Sequence, residues 1–408
     1  MSYDWSEVEE VVAEALDQGA FPGAVLLVGR GASVELERAW GVLEAGGEKA
    51  ETATIYDVAS LTKPLVTVPC LLMAAALGRL SLKDPVSKLK ADFAAGEGDQ
   101  RQLAWARDRV TVEDLLCHRS GLPAWRPYYE SLSLAGGEAH AVDSALDGMR
   151  PEAGSPEAKA AVVAAALAEP LVRERGRESE YSDVGFIILG RLLEEVEDMS
   201  FASLARERLL APLGLSDSCF FDACGRPFAG GRADVGAPVG QDNPAAGVAP
   251  CGMSRWRGRV VCGEVSDDNA FAMGGAAGHA GLFSTARDLH ALVVEHLDAL
   301  EGKGRVLGAD WVKRCWARPK PLAGARPSTW SLGWDGPAPK GSSGGALISS
   351  GAVGHLGYSG CSLWIDRERG VHVIMLTNRI HPDWDNRRIA DVRPKLHDAV
   401  FKAVDGGK

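Results

Sequence analysis

Ile55-Tyr56-Asp57-Val58-Ala59-Ser60-Leu61-Thr62-Lys63-Pro64-Leu65 puts a hydroxyl and an amine three residues apart, where an extended segment gives way to a helix. On a helix, residues three apart share a face, so the Lys63 amine can reach the Ser60 hydroxyl. Pro64 lacks a backbone N–H, and only the first turn of a helix leaves such groups without an internal partner. The helix therefore starts near Ser60, which places the hydroxyl at the positive end of the helix dipole. Apolar neighbours (Val58, Ala59, Leu61, Leu65, Val66, Val68) mark Lys63 as an interior rather than a surface charge. A serine so placed, with a lysine one turn on, meets the requirement for an activated nucleophile.

The rest of the 408-residue chain narrows the possibilities. It is 46% hydrophobic and 24% charged, the balance of a globular protein with a large core. A net charge of −11 argues against nucleic acid or an anionic membrane as partner. The acidic start, Met1 to Glu10, lacks the basic-then-apolar layout of a secretion signal, and the apolar run Leu71–Leu77 is too short to span a bilayer. A cytoplasmic address is expected. Eight cysteines without C-x-x-C spacing read as small buried thiols, and the nine histidines form no metal-binding pattern. Neither a metal nor a cofactor is expected, and oligomeric state is left open.

Along the chain, residues 5–18 have helical spacing. Ala24–Gly29 and Val34–Trp40 read as strands joined at Arg30-Gly31-Ala32. A long apolar helix runs from Leu61 to Leu77 and stops at Gly78. Thr111–Cys117, Pro156–Ala168, Asp183–Val196, Thr285–Leu300 and residues 385–403 are further helices, and 218–262 is a long ordered loop. Ser362–Ile365 and Val371–Thr377 form a strand pair. The expected fold is α+β: residues 1–68 and 285–408 build an antiparallel sheet flanked by terminal helices. Residues 69–284 form an inserted, mainly helical domain.

Two further segments carry chemistry. Tyr181-Ser182-Asp183 opens the helix ending at Val196, with Ser182 or Asp183 as its N-cap. Gly354-His355-Leu356-Gly357-Tyr358-Ser359-Gly360 precedes the strand Ser362–Ile365, and its glycines suggest close approach of something to the backbone. In this order, Ser-x-x-Lys, Tyr-x-Asp and His-x-Gly resemble the three motifs of the serine β-lactamase and penicillin-binding-protein superfamily. The likeness is strongest to the class C branch and its carboxylesterase relatives. Thr111–Pro123 and Gly274–Leu289 look similar to that family too, and the resemblance extends from about Phe21 to Val400.

The resemblance implies a role for each residue. Ser60 would form an acyl-enzyme, Lys63 would take its proton, and Tyr181 would relay that proton and later help activate water. The backbone N–H groups of Ser60 and Tyr358 would make the oxyanion hole. Gly357 would let the substrate lie along the strand as an added strand. The implied substrate is a small ester, amide or short peptide, including β-lactams and D-amino-acid peptides. Two departures lean toward the esterase side. Asp183 stands where β-lactamases carry Asn, and a carboxylate cannot donate a hydrogen bond and favours a charged Lys63. His355 stands where Lys is usual, and a neutral imidazole attracts a substrate carboxylate less.

Asn378 and Arg379 are further candidates for substrate binding; Arg379 would supply the missing positive charge. Trp125, with Tyr128 and Tyr129, would line an acyl or leaving-group pocket. Two alternatives compete. Gly341-Ser342-Ser343-Gly344-Gly345 fits the G-x-S-x-G of Ser-His-Asp hydrolases, but Pro and Gly in Trp334–Lys340 exclude the buried strand it needs before Ser343. A non-catalytic binding or scaffold protein of the same fold would have no need of Ser60, Lys63 and Tyr181 together.

Overall fold

The computed structural model describes residues 3–93, 107–134, 150–228 and 247–407. Two adjacent strands near the N-terminus, β1 (Gly23–Arg30) and β2 (Ser33–Gly41), meet three near the C-terminus: β3 (Val353–Leu356), β4 (Ser362–Asp366) and β5 (Val371–Thr377). They form one five-stranded antiparallel sheet in the order β2-β1-β5-β4-β3. The register pairs Ala24 with Thr377 and Leu363 with Ile374, so the two ends of the chain share the centre of the sheet.

Strand β1 is apolar and buried nearly throughout because both its faces are covered. Leu26 and Val28 face the terminal helices α1 (Ser6–Asp17) and α7 (Ile389–Gly406), which supply Val8, Val12, Leu396 and Phe401. Val25 and Leu27 face the larger core, shared with the helical part of the molecule. The period of two along β1 thus divides one strand between two cores.

Four helices of the sequence reading lie where expected: α3 (Pro156–Ala168), α4 (Asp183–Glu197), α6 (Ala286–Leu300) and, as a shorter piece, Val112–Leu116. The helix α5 (Asp268–Ala272) and Ala309–Trp316 were not foreseen. Nor was β3, so His355 stands on the sheet's edge strand rather than in a loop before it. The expected loop 218–262 lies outside the described residues between 229 and 246. Its described part contains a small hairpin, Met253–Ser254 paired with Arg259–Val260. Seven of the eight cysteines are buried, but Cys224 is exposed, a departure from the reading of uniformly buried thiols.

The helix bearing Ser60, α2 (Ala59–Ala76), departs most from expectation. It opens as a 3-10 turn at Ala59–Leu61, widens to a π stretch over Lys63–Thr67, and only then becomes α-helical. The cause is its prolines: Pro64 and Pro69 each remove an N–H, and Val68 N–H reaches back five residues to the Lys63 carbonyl. With 18 residues and a mean hydropathy of 1.4, this is a longer apolar stretch than Leu71–Leu77. Length and composition alone would let it cross a membrane, but 78% of it is buried inside the protein, as in a core helix.

Candidate active site

Three elements meet at Ser60. Helix α2 carries Ser60 and Lys63, the N-terminus of α4 carries Tyr181 and Asp183, and the segment Gly278–Leu282 runs alongside as a strap. The strap is tied to α2 by buried hydrogen bonds: Thr67 Oγ1 donates to the Gly278 carbonyl (2.6 Å), and Leu282 N–H donates to Thr62 Oγ1 (3.1 Å). Helix α4 presses on the same strap through glycine. A Cβ on Gly190 would sit 2.7 Å from Gly278 N, so neither residue leaves room for a side chain. Ser182 caps α4 by accepting Gly185 N–H and donating to the Pro123 carbonyl. Its own N–H donates to His118 Nδ1 (3.0 Å), and the His118 ring packs on Tyr181 at 4.8 Å.

The residue before the nucleophile is strained. Ala59 has φ of +48°, a left-handed conformation that costs a side chain about 1–3 kcal/mol. Buried Asp57 holds it there, accepting Ala59 N–H on Oδ1 (2.8 Å) and Ser266 N–H on Oδ2 (2.7 Å). The bend turns the Ser60 hydroxyl into a cleft of about 810 Å³.

Ser60 Oγ lies 2.9 Å from Lys63 Nζ and 2.6 Å from Tyr181 Oη. Lys63 is fully buried; its other partners are the His279 carbonyl (2.7 Å) and Asp183 Oδ1 (2.6 Å). Tyr181 Oη is 3.2 Å from the same Asp183 oxygen. Burial pulls the Lys63 pKa below 10.5, and the Asp183 carboxylate opposes that shift without cancelling it. Burial and then the Asp183 charge push the Tyr181 phenol well above 10. The two groups are thus driven in opposite directions, the amine toward accepting a proton and the phenol toward keeping one.

The third motif closes the cleft. A Cβ on Gly357 would lie 2.6 Å from the Val58 carbonyl oxygen, so only glycine lets this turn lie against the nucleophile's segment. The backbone N–H groups of Ser60 and Tyr358 have no acceptor among the described residues. Two such donors beside a nucleophile can stabilise charge developing on a carbonyl oxygen. His355 Nδ1 donates to the Leu356 carbonyl (2.8 Å), leaving Nε2 buried without a partner. Burial, followed by the nearby Lys63, lowers the His355 pKa to about 3, so the ring is neutral.

Several expectations are corrected. Asn378 does not line the cleft; its buried amide donates to the Leu43 and Pro250 carbonyls and holds loops together. Arg379 borders the cleft, but its guanidinium donates to the Tyr358 and Asn386 carbonyls, so it shapes the turn rather than standing free for a carboxylate. An added strand along β3 meets an obstacle: Asp335 already pairs with Gly354 through two backbone bonds, of 2.8 and 2.9 Å. Trp125 and Tyr129 line the cleft, whereas Tyr128 turns into the core. Ser343 sits in a turn away from the cleft, without a preceding strand.

Sequence reasoning assigned no role to Trp330, Trp256, Asp267 or His279, all of which line the cleft. Trp330 stands 5.7 Å from the Tyr181 ring and 5.5 Å from His355. His279 belongs to the glycine-rich segment that resembled the family; nothing in its spacing signalled that its carbonyl would hold Lys63.

Known proteins share this sequence and fold in part. A protein of Escherichia coli K12, provisionally named a D-alanyl-D-alanine carboxypeptidase, is 28% identical over 390 residues, covering 92% of this chain and 82% of that protein. An octameric penicillin-binding protein homologue from Pyrococcus abyssi superposes with a TM-score of 0.65 at 20% identity, covering 98% of this chain and 77% of that one. EstCE1, a hydrolase with promiscuous acyltransferase activity, superposes at 0.67 with 20% identity over 97% of both chains. The beta-lactamase family profile matches residues 8–396, nearly the full length, and the chain is a member of the β-lactamase family of serine hydrolases.

Proposed function

We propose that the protein hydrolyses a short D-amino-acid peptide or related amide through an acyl-enzyme on Ser60. The observation that carries this reading is the Ser60 hydroxyl held between an amine at 2.9 Å and a phenol at 2.6 Å. The free amine of Lys63 accepts the Ser60 proton as Oγ attacks the carbonyl carbon. Its two N–H groups stay on the His279 carbonyl and Asp183. The negative oxygen of the tetrahedral intermediate is received by the Ser60 and Tyr358 N–H groups. Removing one such donor typically raises a barrier by about 3–4 kcal/mol.

Tyr181, protonated in the resting site, donates to the leaving nitrogen or oxygen. The resulting phenolate takes a proton from water in deacylation, and Lys63 returns its proton to Ser60 as the acid departs. Each group ends as it began.

The name carried by the E. coli relative supports a D-amino-acid peptide as substrate. An ester is the second reading, favoured by Asp183 in place of an amide donor and by a neutral His355 in place of a lysine. The test is labelling with fluorophosphonate and penicillin reporters followed by peptide mapping, beside rates on D-Ala-D-Ala peptides, nitrocefin and short-chain esters. Ser60 is expected to carry the label, and Ser60→Ala to lose label and turnover together. Tyr181→Phe is expected to slow turnover about 10²–10⁴-fold, with acyl-enzyme accumulating in the mass spectrum. A label on another serine refutes the assignment. Absence of turnover on every substrate favours a binding or scaffold role.

A further inference from the structure

Asp267 is a cleft carboxylate whose position the reaction does not explain. It precedes α5 and caps it: Oδ1 accepts Ala270 N–H (2.7 Å) and shares a hydrogen bond with His279 Nε2 (2.9 Å). Those two bonds fix the carboxylate's orientation. Its second oxygen has no partner among the described residues, and the side chain, 24% exposed, lines the cleft. Two hydrogen bonds connect this residue to the nucleophile, because its neighbour Ser266 donates to the same Asp57 that holds Ala59. His279 bridges Asp267 to Lys63 from the other side, ring to one and carbonyl to the other.

Two cleft-lining histidines carry unpartnered ring nitrogens. With Nε2–H given to Asp267, His279 Nδ1 is an acceptor; it is buried and unpartnered, and the residue lines the cleft. His355 Nε2 is a second unpartnered acceptor on a cleft-lining residue. Both nitrogens are buried, so the acceptor actually presented to the cleft is the part-exposed Asp267 carboxylate. Aromatic faces complete the wall. Tyr129 packs at a tilt against Trp256 (5.0 Å) and Trp125 (6.3 Å), and Tyr129 N–H is anchored on Asn269, two residues from Asp267. Aromatic faces attract a cation. Of the side chains nearby, Lys63 is held by Asp183, and Arg257 is spent on Asp268 and Glu264. Of the cleft arginines, Arg379 and Arg387 lie against the Tyr358 ring at 4.4 and 5.6 Å, Arg393 donates to the Gly357 and Cys361 carbonyls, and Arg255, beside Trp256, is paired with Asp385.

We infer that Asp267, backed by His279 and the Trp125–Tyr129–Trp256 wall, binds a free ammonium group on the acyl part of the substrate. The enzyme would then act on aminoacyl compounds whose amine is unblocked. This rests on the serine-hydrolase reading above and narrows its substrate class. The test compares kcat/KM at neutral pH for D-alanine p-nitroanilide and N-acetyl-D-alanine p-nitroanilide. Wild type is expected to favour the free amine at least about tenfold, the lower end for a hydrogen bond to a charged group. Asp267→Asn keeps a good N-cap for α5 and is expected to bring that ratio at least tenfold closer to one.

Equal or better use of the acetylated compound by wild type overturns the proposal, and so does an unchanged ratio in folded Asp267→Asn. The wild-type pair of rates decides the matter if the variant does not fold. If neither compound turns over while Ser60 still takes a fluorophosphonate, protection of that label by D-alaninamide against N-acetyl-D-alaninamide becomes the readout. Stronger protection by the free amine supports the inference, and equal or weaker protection overturns it. If Ser60 takes no label and nothing turns over, the hydrolase reading itself fails and carries this one with it.

Discussion

At Lys63, two large effects act against each other. Full burial disfavours the ammonium, and a carboxylate at 2.6 Å favours it; burial prevails, so the amine titrates below its ordinary range. If only the free amine accepts the Ser60 proton, kcat/KM rises with pH through the Lys63 pKa. Asp183 raises that pKa, so Asp183→Asn removes the opposing charge and lowers it further. The acid limb of the pH–rate profile is expected to move to lower pH in Asp183→Asn, measured on any substrate the wild type turns over. A limb that stays or moves up would show that Lys63 is not the group being titrated. His355, with its pKa near 3, stays neutral over this range and does not contribute a limb near neutrality.

Among the elements, the site depends on places where backbone meets backbone. Helix α2 brings Ser60 into the cleft through a left-handed Ala59 and an irregular first turn, and Gly357 brings the Tyr358 N–H beside it. Gly357→Ala forces a methyl to within 2.6 Å of the Val58 carbonyl oxygen, a backbone atom that cannot rotate away. The turn must then retreat from Ser60. Loss of one oxyanion donor corresponds to about 10²–10³ in kcat, and that fall is the expected outcome, with the circular dichroism spectrum retained. A variant with wild-type kcat would mean that the Tyr358 N–H has no part in the reaction. The same reasoning shows what was illegible in the chain. Ser-x-x-Lys, Tyr-x-Asp and His-x-Gly could be read because their chemistry is local, but the π stretch over Lys63–Thr67 and strand β3 could not. A four-residue edge strand flanked by glycines has too little periodicity to distinguish it from a loop.

Over the whole molecule, the sheet joins what the sequence separates. β1 pairs with β5 from Ala24–Thr377 to Arg30–Val371, and α1 and α7 close the outer face over Leu26, Val28 and Met375. Phe401 is fully buried in that outer core. Phe401→Ala is expected to cost about 3–5 kcal/mol, read as a lower urea midpoint with an unchanged slope. A loss below about 1 kcal/mol would mean that the terminal helix contributes little to the sheet's stability.

The chain by itself marked Ser60, Lys63 and Tyr181 as candidates, with the order in which they occur, and most of the long helices. The helices and the Ser60–Lys63 pair follow from spacing, capping residues and apolar periodicity within a few turns of chain, and Tyr181 from the resemblance of three motifs in order. Only the tertiary structure decided which oxygen Lys63 and Tyr181 share, that Asp183 faces both, that Asn378 and Arg379 serve the scaffold, and that Asp267 presents a free oxygen to the cleft. Several of those outcomes depend on contacts between residues more than a hundred positions apart, such as the His279 carbonyl on Lys63 Nζ, while Arg379 and Asp267 are held by nearer partners in folded loops. Burial and distance set them, and neither is a property of any local stretch of sequence.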